Sequence, residues 1–182
     1  MEYRALYEYG VNRLSESGTG EAALDARLLL EEVCGTSRSD LLAHGDEPVK
    51  EEHRRRYLEW IENRAGRIPL QHILGYQEFM GLRFRVNGDV LIPRQDTETL
   101  VEEVLRKLHD GMRILDLCTG SGCILLSLLR YSNHCQGTGS DLSEKALEVA
   151  RGNARSLGLE AEFVHSDLFE RITGKFEIIV SN

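Results

Sequence analysis

Apolar residues recur at every third or fourth position through the first 66 residues, which is the spacing of an amphipathic helix. The pattern includes Leu6, Tyr9, Leu14, Leu24, Leu28, Leu29 and Val33. Gly18 and Gly35 stand where helices commonly end, and two further helices are expected, one ending near Gly45 and one beginning at Pro48. Residues 1–66 are therefore predicted to form a small helical bundle.

Turn-forming residues replace the helical spacing from Gly66 onward. They are Pro69, Gly75, Gly81, Asn87, Gly88 and Pro93. A short stretch of alternating apolar and polar residues, 82–86, lies between two of these turn signals and has the pattern of a β-strand. Residues 67–95 are therefore predicted to be a β-hairpin linker.

Helices and short apolar strands alternate after the linker. Asp96 or Thr97 is expected to cap a helix that runs to about His109. Strands are expected at residues 113–117, up to Asp141, at 162–165 and at 176–181, with helices at 123–131 and 143–157. Such alternation predicts parallel β-α-β units, so residues 96–182 are expected to form a doubly wound α/β domain.

The first strand of this domain leads into a glycine-rich turn at the start of a helix. The turn has the sequence Asp116-Leu117-Cys118-Thr119-Gly120-Ser121-Gly122-Cys123. Ligands of open α/β sheets bind at the carboxyl ends of the strands, where glycine lets the backbone approach and the helix N-terminus offers free N–H groups. A nicotinamide-binding fingerprint would need a third glycine where this chain has Leu125, which counts against a nicotinamide oxidoreductase.

Asp141 is expected to end the second strand, 21 residues after Gly120, where its carboxylate would lie beside the turn. Position and spacing favour hydrogen bonds between this carboxylate and the two hydroxyls of a ribose. The alternative is a helix N-cap for the segment that begins at Ser143. Asp116 has two equally weighted interpretations: it supports the turn, or it faces the ammonium group of a cofactor through water.

Asp167 and Leu168 follow the third strand, where an adenine would lie if a ribose binds at Asp141. Asp167 would accept a hydrogen bond from the exocyclic amino group, and Leu168 would pack against the face of the ring. An ordinary aspartate turn with an apolar neighbour explains the same spacing equally well.

The charge of the chain narrows the class of substrate. The net charge is −8, and the one basic cluster, Arg54 to Arg56, stands beside acidic residues in a helical pattern. This cluster is interpreted as a solvent-exposed helix face with ion pairs. A nucleic-acid substrate is therefore disfavoured.

The cysteine spacing argues against a metal-binding protein, and the absence of long apolar runs argues against a membrane protein. Cys34, Cys118, Cys123 and Cys135 lack the spacing of a metal site and are expected to be free thiols. No run is long and apolar enough for a membrane span, and the first residues lack the pattern of a signal peptide. The chain is therefore expected to act in the cytoplasm without binding a metal or a membrane.

Three blocks of the sequence carry a family resemblance. They are Pro69-Leu70-Gln71-His72-Ile73-Leu74-Gly75 with Glu78-Phe79, then Leu91-Ile92-Pro93-Arg94-Gln95-Asp96-Thr97-Glu98, and finally Asp116 through Cys123. The blocks resemble those of the HemK-type family of release-factor glutamine methyltransferases. The resemblance implies a helical N-terminal domain that docks the substrate, a β-hairpin linker and a seven-stranded, Rossmann-like methyltransferase domain. Since only four strands are expected here, this last domain is expected to be incomplete.

The resemblance also implies S-adenosylmethionine as the cofactor. Together with the spacing arguments it gives the candidate cofactor-binding residues Cys118, Thr119, Gly120, Ser121, Gly122, Asp141, Asp167, Leu168 and Asn182. Relatives end their fourth strand in Asn-Pro-Pro-Tyr, of which this chain has Asn182. Asn182 is the candidate catalytic and substrate-binding residue, because its side-chain carbonyl would accept an N–H of the substrate amide. Many relatives have Trp at the position of Leu168 and Pro-Glu at Gln95-Asp96.

The implied reaction transfers a methyl group from S-adenosylmethionine to the side-chain amide nitrogen of a glutamine, in the Gly-Gly-Gln loop of peptide chain release factors. An amide nitrogen is a poor nucleophile, so catalysis is expected to depend on positioning rather than on a metal. Two alternatives are an adenine amino-methyltransferase that acts on nucleic acid and a non-catalytic binding module. The 182-residue chain by itself is expected to have little activity and to belong to a polypeptide longer by about 100 residues.

Overall fold

Five helices form the first of the two units into which the chain divides, Met1–Leu74. The computed structural model describes residues 1–182. The helices are α1 (Tyr3–Glu16), α2 (Ala22–Cys34), α3 (Arg38–Ala43), α4 (Glu51–Ala65) and α5 (Leu70–Leu74). Apolar residues of α1, α2 and α4 share one core, so the expected helical bundle is present.

The core of the bundle depends on a close approach of α1 to α4. A Cβ atom on Gly10 would lie 2.0 Å from the hydroxyl oxygen of Tyr57, so only glycine fits at this point of α1. The Tyr57 hydroxyl donates a hydrogen bond to the backbone carbonyl of Ala26 at 3.2 Å, and burial raises the pKa of this phenol. One buried tyrosine therefore joins three helices.

Two details of this unit differ from the sequence expectation. Helix α4 begins at Glu51 rather than at Pro48, because Pro48 pairs with Glu2 in an isolated antiparallel bridge. In addition, Leu70–Leu74 is helical inside the stretch that was predicted to be a hairpin linker. The carbonyl of Pro69 accepts N–H groups from this short helix, so the proline begins a helix instead of a turn.

The second unit, Gly75–Asn182, contains a two-stranded hairpin and a four-stranded sheet. The hairpin strands are β1 (Tyr76–Phe79) and β2 (Leu82–Arg85), and the sheet strands are β3 (Arg113–Leu117), β4 (Gln136–Asp141), β5 (Glu162–His165) and β6 (Ile178–Ser181). The helices are α6 (Asp96–Leu105), α7 (Cys123–Tyr131) and α8 (Glu144–Leu157). The sheet order is β5-β4-β3-β6 with all neighbours parallel, which confirms the predicted α/β class.

Helix α7 packs on β4 through a glycine. A Cβ atom on Gly137 would lie 2.8 Å from side-chain carbons of Leu125 and Leu129, so a larger residue would push the helix away from the sheet. The leucines of α7 are mostly buried and supply much of the core of this unit. The small residues of the polar strand β4 thus allow α7 to pack closely on it at the centre of the sheet.

The hairpin is fixed to the rest of the second unit at its turn. The Oε1 atom of Glu98 accepts the backbone N–H of Met80 at 2.6 Å, and the hydroxyl of Tyr131 donates to the carbonyl of Met80 at 2.6 Å. Phe79 and Phe84 lie in the core with their rings edge to face and their centroids 6.2 Å apart. The hairpin is therefore packed as part of this unit.

Asn153 of α8 joins the other end of the hairpin to the glycine-rich turn. Its side chain is buried. Its Oδ1 atom accepts the N–H of Arg85 at 2.7 Å, and its Nδ2 atom donates to the carbonyls of Arg85 at 3.1 Å and Ser121 at 2.8 Å. One amide therefore links β2, α8 and the turn that follows β3.

Helix α6 differs from the sequence expectation at both ends. It begins at Asp96 itself, after Gln95, and no side chain caps it, so the expected cap by Asp96 or Thr97 is wrong. Thr97 is buried in the first turn of the helix, where its hydroxyl has a different partner. The helix ends at Leu105 rather than near His109, since the chain turns after that residue.

We expect Asn153→Ala to destabilise the second unit, because it removes the partner of the buried Ser121 carbonyl and of the partly buried backbone groups of Arg85. The free energy of unfolding should fall by about 2–4 kcal/mol. Hydrogen exchange at the amide of Arg85, followed by NMR, should become about tenfold faster or more. The exposed Asn133→Ala is the control, and equal unfolding free energies for the two variants would show that the Asn153 amide holds nothing in place.

Candidate functional site

The carboxyl ends of β3, β4 and β6 meet at one cavity of about 520 Å³. The strand order reverses at β3, which has β4 on one side and β6 on the other, and ligands of open α/β sheets bind at such points. The walls are the glycine-rich turn, the segment 89–94 after the hairpin, Thr97, the first residues of α7 and α8, and Asn182. The volume is within the range of small-molecule sites.

Hydrogen bonds from neighbouring strands hold the glycine-rich turn in shape. The N–H of Thr119 donates to the carbonyl of Ser140 at 2.9 Å, and the N–H of Gly120 donates to Oδ2 of Asp141 at 2.9 Å. The Thr119 hydroxyl donates to Oδ2 of Asp116 at 2.7 Å. Because these bonds are made by residues of the chain itself, we expect the turn to have this conformation before a ligand binds.

Asp141 lies at the end of β4 and lines the cavity, as its spacing predicted. Its second oxygen, Oδ1, accepts the N–H of Ser143 at 2.9 Å. The N-cap of α8 is Ser143, whose hydroxyl accepts the N–H of Ala146 at 3.2 Å, so Asp141 is not the capping residue. Each carboxylate oxygen thus has one backbone partner and a further lone pair for a ligand.

Three residues of the turn have a left-handed backbone, with φ of 58° at Cys118, 56° at Gly120 and 79° at Gly122. The space that a Cβ on Gly120 would occupy is open to 4 Å, so its backbone can be approached by a ligand. A Cβ on Gly122 would lie 3.2 Å from side chains of Ala150 and Leu126, and Gly122 does not line the cavity. Gly122 therefore serves the packing of α7 against α8.

Asp116 lies beneath the turn and is fully buried. Burial raises the pKa of its carboxyl to about 7, although the hydroxyl of Thr119 and the backbone N–H of Leu125 lower it and nearby Asp141 raises it. Its Oδ1 atom has no hydrogen-bond partner, and Asp116 does not line the cavity. Of its two interpretations, support of the turn is the one that its contacts favour.

Asp167 and Leu168 lie outside this cavity, in an exposed turn after β5. The turn starts beside the cavity, since the N–H of Ser166 donates to the carbonyl of Asp141 at 3.1 Å. Leu168 and Phe169 are each 55% exposed and form an apolar surface there. A contact of Asp167 and Leu168 with an adenine ring stays a prediction.

Asn182 lines the cavity beside Thr97. Its Nδ2 atom donates to the Thr97 hydroxyl oxygen at 2.7 Å, which leaves its Oδ1 atom as a hydrogen-bond acceptor. Sequence reasoning treated Thr97 as a helix cap and missed this contact. The block from Leu91 to Glu98 was the available signal, because it contains both the cavity wall and Thr97.

No group of three or more His, Cys, Asp or Glu side chains is placed to hold a metal ion. None of the helices combines the length and the hydropathy that a membrane crossing requires.

We expect Asp116→Asn to gain stability relative to the wild type as the pH rises from 5 to 8. With a raised pKa of about 7, the folded state holds this proton where the unfolded state has lost it, so wild-type stability falls as the pH rises from about 4 through 7. The uncharged amide avoids this loss. Unfolding in urea should show a relative gain of about 2–3 kcal/mol between the two pH values.

The exposed Asp110→Asn is the control for this pH dependence. A difference between Asp116→Asn and the wild type that is the same at pH 5 and pH 8 would contradict a raised pKa at Asp116.

Two family models match the chain. The model described as the PrmC N-terminal domain matches residues 5–75, and the model described as the methyltransferase small domain matches residues 95–182. The first match covers the helices of the first unit, and the second covers α6 and the whole parallel sheet.

Curated relatives match over nearly the whole chain. A release factor glutamine methyltransferase of Agrobacterium fabrum is 42% identical over 178 residues, which is 93% of this chain and 62% of the relative. One of Deinococcus radiodurans is 38% identical over 184 residues, which is 100% of this chain and 66% of the relative. The chain thus spans a little under two thirds of the length of these relatives.

Solved structures share the fold of the sheet region. One is the 16S rRNA N2 G1207 methyltransferase of T. thermophilus, solved with AdoMet and guanosine. The match covers 59% of this chain and 31% of the methyltransferase chain, with a TM-score of 0.51 at 24% sequence identity. Another is Trm5b from Pyrococcus abyssi, where the match covers 57% of this chain and 31% of the Trm5b chain. Its TM-score is 0.51 at 17% sequence identity. At such identities the likeness shows the fold alone. The two family models and the relatives at 38–42% identity show that the chain belongs to the HemK-type family of release factor glutamine methyltransferases.

Proposed function

We propose that this chain provides the cofactor site and the catalytic asparagine of an enzyme that methylates a glutamine side chain in peptide chain release factors. One observation carries the proposal: Asp141, bound to the turn, and Asn182, bound to Thr97, line the same cavity on opposite sides of β3. The family supports the reaction type. Because the chain spans under two thirds of its relatives, activity and substrate are proposed for the whole enzyme.

S-adenosylmethionine is the cofactor that these residues fit. The two oxygens of Asp141 keep lone pairs for the two ribose hydroxyls, and the bare backbone of Gly120 allows close contact. Cys118, Thr119 and Ser121 line the same wall. The bound cofactor would supply a methyl group on a sulfonium ion, and Asp167 with Leu168 would lie beside its adenine.

Asn182 has the chemistry to position the substrate amide. Its Oδ1 atom can accept one N–H of the glutamine side chain, while its own Nδ2 group is held by Thr97. This contact would keep the amide nitrogen in line with the methyl group, and positioning supplies most of the rate for such a weak nucleophile. The same acceptor stabilises positive charge that develops on the nitrogen during transfer.

A protein is the favoured substrate over nucleic acid. The chain carries a net charge of −8, and the basic cluster of α4 includes Arg54, which is paired with Glu51. The relatives are named for release factors, and we propose the same partner here, with the helical first unit contributing to its recognition. Release factors act in translation, so we place the reaction in the cytoplasm.

Transfer of a labelled methyl group tests the proposed function. The chain is joined to the part of the Agrobacterium fabrum relative that it does not cover, and this extended enzyme is incubated with labelled S-adenosylmethionine and either a release factor or DNA. We expect label on the glutamine of the Gly-Gly-Gln loop, located by mass spectrometry. Label in DNA but not in protein would favour the adenine alternative, and cofactor binding without any transfer would favour a binding module.

We expect Asp141→Ala to weaken the binding of S-adenosylmethionine to this chain by about 1.5–3 kcal/mol, because it removes the acceptors for the ribose hydroxyls. Calorimetric titration measures the change, with the exposed Asp110→Ala as the control. An unchanged affinity would show that Asp141 does not bind the cofactor. Binding of a nicotinamide dinucleotide in place of S-adenosylmethionine would overturn the choice of cofactor.

We expect Thr97→Val to lower kcat of the extended enzyme by about 10- to 30-fold, because valine has the shape of threonine but cannot hold the Asn182 amide. KM for the cofactor should stay close to the wild-type value, and Thr97→Ser should restore most of kcat. NMR signals of the Asn182 side-chain amide should shift in the valine variant only. Equal loss in the valine and serine variants would point to packing rather than to the hydroxyl.

A further inference from the structure

Arg94 is the one basic residue that lines the cavity. The wall also contains two carboxylates. Asp89 has its own cation, Lys145, at 3.7 Å, and Asp141 is bound to backbone N–H groups. Arg94 is exposed and forms no ion pair with either of them. Arg94 is therefore a basic residue of the cavity wall whose guanidinium group is available to bind an anionic group of a ligand.

The backbone of Arg94 is fixed close to Asn182. Pro93 before it is buried, and the carbonyl of Arg94 accepts the N–H of Thr97 at 3.0 Å. The hydroxyl oxygen of the same Thr97 accepts the Asn182 amide at 2.7 Å. Arg94 thus belongs to the side of the cavity where methyl transfer is proposed.

The two sides of the cavity suit different ends of a nucleoside that carries an amino acid. Asp141 follows β4 and Asn182 follows β6, with β3 between them, so their strands are about 10 Å apart. If the ribose lies at Asp141, the amino-acid part of the cofactor extends toward β3 and β6. The α-carboxylate of that part then needs a cationic or N–H partner on the side of Arg94.

We propose that Arg94 binds the α-carboxylate of the methionine part of S-adenosylmethionine. The proposal rests on the proposed function, because it takes the cofactor from there. A guanidinium group can bind a carboxylate through two parallel N–H donors, which fixes the orientation of the carboxylate as well as its position. By anchoring the amino-acid end, Arg94 would align the sulfonium methyl group with the amide held by Asn182.

Two ligands separate the amino-acid end of the cofactor from its nucleoside. S-adenosylhomocysteine contains the α-carboxylate, whereas 5′-methylthioadenosine has the same adenine, ribose and sulfur without it. Both are titrated calorimetrically into the 182-residue chain, so the test does not depend on activity. The variants are Arg94→Gln, Arg94→Lys, Asp141→Ala and, as a matched exposed control on α7, Arg130→Gln.

We expect Arg94→Gln to weaken S-adenosylhomocysteine binding by about 10- to 100-fold and to leave methylthioadenosine binding unchanged. Arg94→Lys should regain part of the lost affinity, since it keeps the charge. Asp141→Ala should weaken both ligands, and Arg130→Gln neither. This pattern separates a carboxylate contact from a general disturbance of the cavity.

Two results would overturn the assignment of Arg94 and leave the proposed cofactor unaffected. Unchanged S-adenosylhomocysteine affinity in Arg94→Gln would leave the carboxylate to backbone N–H groups of the glycine-rich turn. An equal loss for both ligands would make Arg94 a structural residue. If the wild-type chain bound neither ligand, the proposal that this chain provides the cofactor site would be wrong, and the assignment of Arg94 would be wrong with it.

Discussion

The buried amide of Asn153 is the contact on which the arrangement of the second unit most depends. It binds the end of β2 and the carbonyl of Ser121 in the glycine-rich turn. The segment 89–94 continues from the end of β2 into the cavity wall, so the same amide places two walls of the cavity. The carboxylates of Asp116 and Asp141 hold the rest of the turn. Side chains from β3, β4 and α8 thus hold the turn, and we expect them to do so before a ligand binds.

This preformed turn has a cost in stability. The carboxyl of Asp116 is buried with one oxygen unpartnered, and its pKa is raised to about 7. Cys118 has a φ of 58°, a conformation that is uncommon for residues other than glycine. Binding sites commonly contain such unfavourable features, because a site that is already ordered loses less entropy when the ligand binds. In this chain both features lie in the one turn to which we assign the cofactor.

Local signals in the sequence predicted the elements well. The bounds of β3 and α7, the helix end at Gly158 and the place of Asp141 all follow from spacing and periodicity. Contacts between distant residues could not be predicted in this way. Thr97 and Asn182 are 85 positions apart, and threonine is a common helix cap, so its hydroxyl was assigned to the local partner. Asn153 has the pattern of a polar helix position, and only the packing of the hairpin makes it buried.

The claim that the turn is formed before the cofactor binds is tested most directly by hydrogen exchange at the amide of Gly120, followed by NMR. That N–H donates to Asp141 at 2.9 Å. We therefore expect its exchange in the absence of S-adenosylmethionine to be slowed by about 100-fold or more relative to an unstructured chain, with little change when the cofactor is added. Exchange at the rate of an open loop, with protection that appears only after S-adenosylmethionine is added, would contradict a preformed site.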